Sequence, residues 1–183
     1  CKQEIQEKVD DKIKIVAIEA NLDIPEEITK LYKDAKDYLG SIDILVNNTG
    51  GPPPSTFENL EDTDWQKAFN STMMSCLRLS KLVIPDMKKN EWGRIINISS
   101  VLGKAYNPLY GWYVSSKHAL EGWSDVLRLE VEQFGIDVVI IEPRMIRTNI
   151  GNYSAQYFEK YSKNSAYENF YGSPDDTEEN SFN

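Results

Sequence analysis

Apolar positions along this 183-residue chain alternate between two rhythms. IKIVAIEANL (13–22) is β-branched and apolar and predicts a strand over about 13–20. IPEEITKLYKDAKDYLG (24–40) predicts a helix. Pro25 and two acids open it, Ile28, Leu31 and Leu39 fall at helical spacing, and Gly40 stops it. IDILVNN (42–48) is a short continuous apolar run, the mark of a strand covered on both faces. A loop, TGGPPPSTFENLEDT, leads to a long helix over 64–90 and a strand over 93–100. A helix holding Tyr113 and Lys117 then runs to about Phe134, and a strand covers 136–143. The remainder is aromatic-rich and predicts short helices and loops.

Strand and helix in alternation, with strands apolar throughout, imply an α/β fold: a parallel sheet with helices on both sides. The length suits one domain with a real core. A net charge of −9, with no basic run longer than Lys88-Lys89, argues against nucleic acid and anionic membrane surfaces as partners. No apolar run approaches the roughly 18–20 residues of a spanning helix. Two cysteines, one of them Cys76 in an apolar stretch, give neither a disulfide framework nor a metal cluster. A reducing compartment follows, hence a cytoplasmic expectation.

Ligands of open parallel sheets gather beyond the carboxyl ends of the strands. Three polar segments stand at such ends: Asn47 to Gly50, Ser99-Ser100, and Pro143 to Thr148. Tyr113 and Lys117, four apart on the next helix, share a face. Taken alone this pair is a solvated surface. With the strand-end motifs in register it becomes a candidate proton-transfer device. Strand alternation points Ser99 away and favours Ser100. His118, beside Lys117 but around the helix, reads as ordinary surface without a partner.

LVNNTG, GRIINISS, YVSSK and PRMIRT, in this order and spacing over about residues 10–150, resemble the short-chain dehydrogenase/reductase family. NNTGGPPP is similar to bacterial 3-oxoacyl-carrier-protein reductases. SKHALEGWSDVLRLEVEQFGIDVVIIEP is similar to members acting on steroids or retinoids, so no single substrate is implied. The resemblance implies an oxidoreductase interconverting an alcohol and a carbonyl with NAD or NADP. Tyr113 would be the acid/base. Lys117 would lower the phenol's pKa from about 10 and hold the nicotinamide ribose. Ser100 would polarise the substrate oxygen. Asn21, Asn47, Gly50, Pro143 and Thr148, with Tyr113 and Lys117, would line the cofactor cleft. No metal is implied.

The departures from the family pattern are equally specific. Thr72 stands at the position of a family asparagine that holds a relay water, Asn70 lies two positions off, and Arg144 replaces a glycine. No Gly-x-x-x-Gly-x-Gly phosphate loop occurs in these residues. The expectation is a partial Rossmann-type doubly wound parallel sheet lacking its first two strands, with 13–20 as an edge strand. Residues 1–150 would form the partial NAD(P)-binding domain, and 151–183 a substrate-lid remnant with a disordered acidic tail. Such a fragment would bind cofactor poorly. The full-length protein would act on a small alcohol or carbonyl compound and form a homo-oligomer. The alternative is a non-catalytic binding or scaffold relative.

Overall fold

A computed structural model describes residues 5–10, 12–144, 156, 160 and 161. Helix α1 (Pro25–Leu39) has Pro25 in its first turn with Glu26 and Glu27, and ends at Gly40 with φ +88°. Strand β1 (Ile44–Asn47) follows. After a single turn at Phe57–Asn59, α2 (Asp62–Phe69) passes through a wide π-type turn (Asn70–Met74) into α3 (Ser75–Lys89). Strand β2 (Gly93–Ile98) and a short turn at Val101–Gly103 lead to α4 (Gly111–Val131), and β3 (Ile136–Ile141) completes the order. The three strands form one parallel sheet in the order β1-β2-β3.

The wide turn has a local chemical cause. Ser71 Oγ donates to Lys67 O at 3.0 Å, and Thr72 Oγ1 donates to Ala68 O at 2.5 Å. Ser75 Oγ does the same toward Ser71 O. Hydroxyls that bond back to carbonyls one turn earlier loosen the helical ladder, and a π turn absorbs the slack.

The core lies on one face of the sheet. Ile95, Ile136 and Val138 meet Val83 and Met87 of α3 and Leu127 and Val131 of α4. Tyr32 of α1 packs against this cluster and donates its hydroxyl to Asp86 of α3 at 3.1 Å. A polar chain crosses the same layer: Asn47 Nδ2 donates to Asn97 Oδ1, and Asn97 Nδ2 donates to Ser124 Oγ, both at 2.8 Å. Asn47 and Asn97 are partners in the β1–β2 register, which is why the two amides meet.

Two expectations are corrected. Residues 13–20 form no strand, because a strand exists only by pairing and no neighbour lies beside this stretch among the described residues. Nor is β1 covered on both faces. Ile44 and Val46 are 53% and 54% exposed, on the side of the sheet that α3 and α4 leave open. An apolar run predicts what a strand could bury; only the neighbours decide what it does bury. Thr148 and most of 151–183 lie outside the described residues.

Candidate active site

The carboxyl ends of β1, β2 and β3 open toward the start of α4. Ser100 follows β2 directly and caps the turn at Val101–Gly103, its Oγ accepting the Leu102 N–H at 3.1 Å. Because a lone pair serves that cap, the hydroxyl proton is left to donate elsewhere. Ser99 is buried, and its Oγ has no partner. The two serines thus differ in burial and in hydrogen bonding.

Lys117 is only 2% exposed, although it carries a charge. Its ammonium donates to Ile98 O at 2.8 Å and lies 5.7 Å from the centre of the Tyr113 ring. The peptide it grips is two residues from Ser100. Lys117 thereby ties the helix that carries Tyr113 to the end of the strand that precedes Ser100. Burial pushes the Lys117 pKa down, while the thiol of Cys76 and the carboxylate of Glu121 push it back up. Cys76 is a free buried thiol whose own pKa is raised by burial. Its Sγ donates to Thr72 O at 3.0 Å.

The other sequence-predicted residues divide by placement. Gly50 is exposed, with nothing within 4 Å of a built Cβ. Asn47 turns its side chain inward to Asn97 and is 2% exposed. Asn21 is exposed and builds the entry to α1: its Oδ1 accepts from Asp23 N, and its N–H donates to Glu27. Pro143 O accepts from Val101 N at 3.0 Å and so ties the end of β3 to the Ser100 turn. Arg144 is exposed. Thr72 is fully buried with its hydroxyl spent on Ala68 O, and Asn70 Oδ1 accepts from Arg78. His118 is part-exposed, but it does have partners, against the expectation of none: its ring stacks on the exposed Tyr106, and Nδ1 lies 3.0 Å from Val114 O.

Gly51, for which the sequence carries no expectation, lies against Tyr113. A Cβ built there would stand 2.7 Å from Cε2 and 2.8 Å from Cδ2 of Tyr113, so the loop rests its bare backbone on the phenol. Pro53 O accepts from Trp112 Nε1 at 3.1 Å, and Ser55 N donates to Leu109 O at 2.9 Å. The 51–55 segment is stitched to the start of α4 at three points. The double glycine in TGGPPP was the available signal.

The residues present fit the nicotinamide end of a dinucleotide. Tyr113 is half-buried, Lys117 supplies a cation, and Thr49 Oγ1 is buried without a partner at the strand end. Among the described residues no group of His, Cys, Asp and Glu is placed to hold a metal ion, and no helix is long and apolar enough to cross a membrane.

Comparison with known proteins supplies the lineage. The uncharacterized oxidoreductase YusZ of Bacillus subtilis is 36% identical over 164 residues, 89% of this chain and 58% of that protein. The 3-oxoacyl-[acyl-carrier-protein] reductase FabG of Buchnera aphidicola is 38% identical over 147 residues, 79% of this chain and 58% of its own length. A solved short-chain dehydrogenase from Streptomyces avermitilis matches with a TM-score of 0.70 at 32% identity, covering 74% of this chain and 50% of that one. The chain spans about half the length of the curated relatives it matches. The family model for short chain dehydrogenase matches residues 1–157, and with that coverage the chain belongs to the short-chain dehydrogenase family.

Proposed function

We propose that the protein containing this chain is an oxidoreductase that interconverts an alcohol and a ketone or aldehyde with NAD or NADP, using Ser100, Tyr113 and Lys117. The observation that carries this reading is the buried Lys117 ammonium, fixed on Ile98 O beside the Tyr113 ring and two residues from Ser100. Relatives named as ketoacyl reductase and as D-beta-hydroxybutyrate dehydrogenase agree with carbonyl–alcohol chemistry.

The bound nicotinamide supplies or takes the hydride. Everything else falls to side chains of this chain. Ser100 donates its free hydroxyl proton to the substrate oxygen and holds it in place. In reduction Tyr113 gives its phenolic proton to the same oxygen as negative charge develops there; in oxidation it takes that proton back. The adjacent ammonium stabilises the phenolate left behind. Gly51, lying on the ring, limits the phenol to one orientation. Lys117, with Gly50 and Thr49 at the end of β1, would hold the nicotinamide ribose side of the cofactor.

No glycine phosphate loop occurs in these residues, and such a loop is what ordinarily brings a helix N-terminus to a pyrophosphate. We infer that the 183-residue chain binds NADH and NADPH weakly. A fluorescence titration tests this, and micromolar binding would overturn it. At millimolar cofactor, addition of a 3-oxoacyl thioester is expected to give nicotinamide oxidation that Tyr113→Phe abolishes. Turnover that survived Tyr113→Phe would remove the mechanism. A second reading, a non-catalytic relative, is favoured by Thr72, whose hydroxyl is already committed to Ala68 O. A wild-type chain that binds nucleotide but oxidises none of it would support that reading. Between α3 and α4, an open apolar hollow of about 230 Å³ lined by Leu77, Ile84, Trp123 and Leu127 suits the homo-oligomer expected of the full-length protein.

A further inference from the structure

We propose that Glu121 is a positioning residue that clamps the Ser100 turn to the helix bearing Tyr113 and Lys117, with Lys104 as its partner. Its consequence for turnover rests on the catalytic reading above; the clamp itself does not.

Among the described residues, Lys117 and Glu121 are the two buried charged side chains, and they stand one turn apart on α4. A carboxylate out of water is costly unless something offsets its charge. Glu121 Oε2 lies 3.0 Å from Lys104 Nζ, and apart from that ion pair neither carboxylate oxygen has a hydrogen-bond partner. The lysine comes from the residue that ends the Val101–Gly103 turn. The Lys104 side chain is about half exposed, so it closes the buried carboxylate from the solvent side. The same carboxylate fits under the turn so closely that a Cβ on Gly103 would stand 2.9 Å from Oε1 and 2.7 Å from Ser99 Oγ.

Successive turns of one helix therefore grip both sides of the serine pair. Lys117 holds Ile98 O ahead of Ser99-Ser100, and behind it Glu121 pairs with Lys104 and packs closely against Gly103. Within the turn, Gly103 N donates to Ser100 O, and Ala105 N donates to Val101 O. Those bonds keep the turn's shape; Glu121 fixes it relative to α4. The spacing from the Ser100 hydroxyl to the Tyr113 phenol, which belong to different elements, is set across this bridge. Glu121 also offsets part of the burial that pulls down the Lys117 pKa.

Amide hydrogen exchange of the chain, read at Gly103 and Ala105, tests the clamp without cofactor or substrate. Lys104→Met and Glu121→Gln are expected to speed exchange at these two amides about fivefold or more, with α1 amides unchanged. Lys104→Arg is expected to restore protection. Unchanged exchange in Lys104→Met, whose site is exposed and tolerant, would overturn the proposal, as would an equal rise in α1. In turnover, Lys104→Met is expected to lower kcat with little change in KM, and to be non-additive with Ser100→Ala. Full additivity would overturn the positioning role. A wild-type chain without turnover would remove the catalytic reading, and the exchange ratio would then decide the clamp alone.

Discussion

Lys117 shows how burying one charged side chain works against stability. Its ammonium is nearly sealed from water, and burial holds its pKa below the ordinary lysine value of 10.5. A lysine depressed in this way binds its proton more weakly folded than unfolded, so ionisation at this site costs stability. The cost is full below the folded-state pKa and fades as pH rises toward 10.5, where the unfolded chain also loses its proton. Lys117→Met should therefore gain stability relative to the parent at neutral pH, with the gap closing in alkaline solution. Urea unfolding at several pH values measures it, and a gap that widened with pH would contradict the assignment. Gly51 makes the complementary point about shape. Gly51→Ala forces a methyl into the Tyr113 ring and should cost about 1–3 kcal/mol, or displace the ring and lower turnover about tenfold or more. Ring resonances of Tyr113 should move in Gly51→Ala and stay in place in Gly50→Ala, where a Cβ meets nothing.

At the scale of elements, the polar chain Asn47–Asn97–Ser124 pins β1, β2 and α4 together. Asn97 is fully buried, and Ser124 Oγ passes the chain on to Leu120 O at 2.6 Å. Asn97→Leu takes one buried hydrogen bond each from Asn47 Nδ2 and Ser124 Oγ and should cost roughly 2–4 kcal/mol in urea unfolding. A loss below 1 kcal/mol would mean that water reaches the site. The same scale explains what the sequence reveals. Helical spacing and caps are properties of a single segment, so α1, α4 and the Tyr113–Lys117 face are legible from Pro25, Gly40 and the four-residue step. Pairing belongs to two segments, so residues 13–20 carry every mark of a strand and still form none. The clamp from Glu121 to Lys104 and the contact of Gly51 with Tyr113 join residues on different elements, and no local rhythm announces such meetings. Thr72 is legible as a departure, but residue type alone does not announce that the hydroxyls of Ser71, Thr72 and Ser75 bond back and widen the helix around it.

Across the whole molecule, the sheet is asymmetric. Its covered face carries Ile95, Ile136 and Val138 against two helices, while Val46, Ile96 and Val139, neighbours in one register row, face the other way. Val46 is 54%, Val139 38% and Ile141 45% exposed. Strand β1 is also paired on one side only among the described residues, which leaves a row of backbone donors and acceptors beside that apolar surface. Apolar patches of this kind bind hydrophobic dyes and one another. The net charge of −9 opposes association at long range, but screening removes that protection as salt rises. The 183-residue chain should therefore enhance anilinonaphthalene sulfonate fluorescence in its native state and self-associate more readily at high salt. Placing carboxylates in the row, as in Val46→Glu with Val139→Glu, should remove most of the dye signal while circular dichroism stays unchanged. A dye signal indifferent to both substitutions would show that this face is covered in solution and that the apolar surface lies elsewhere.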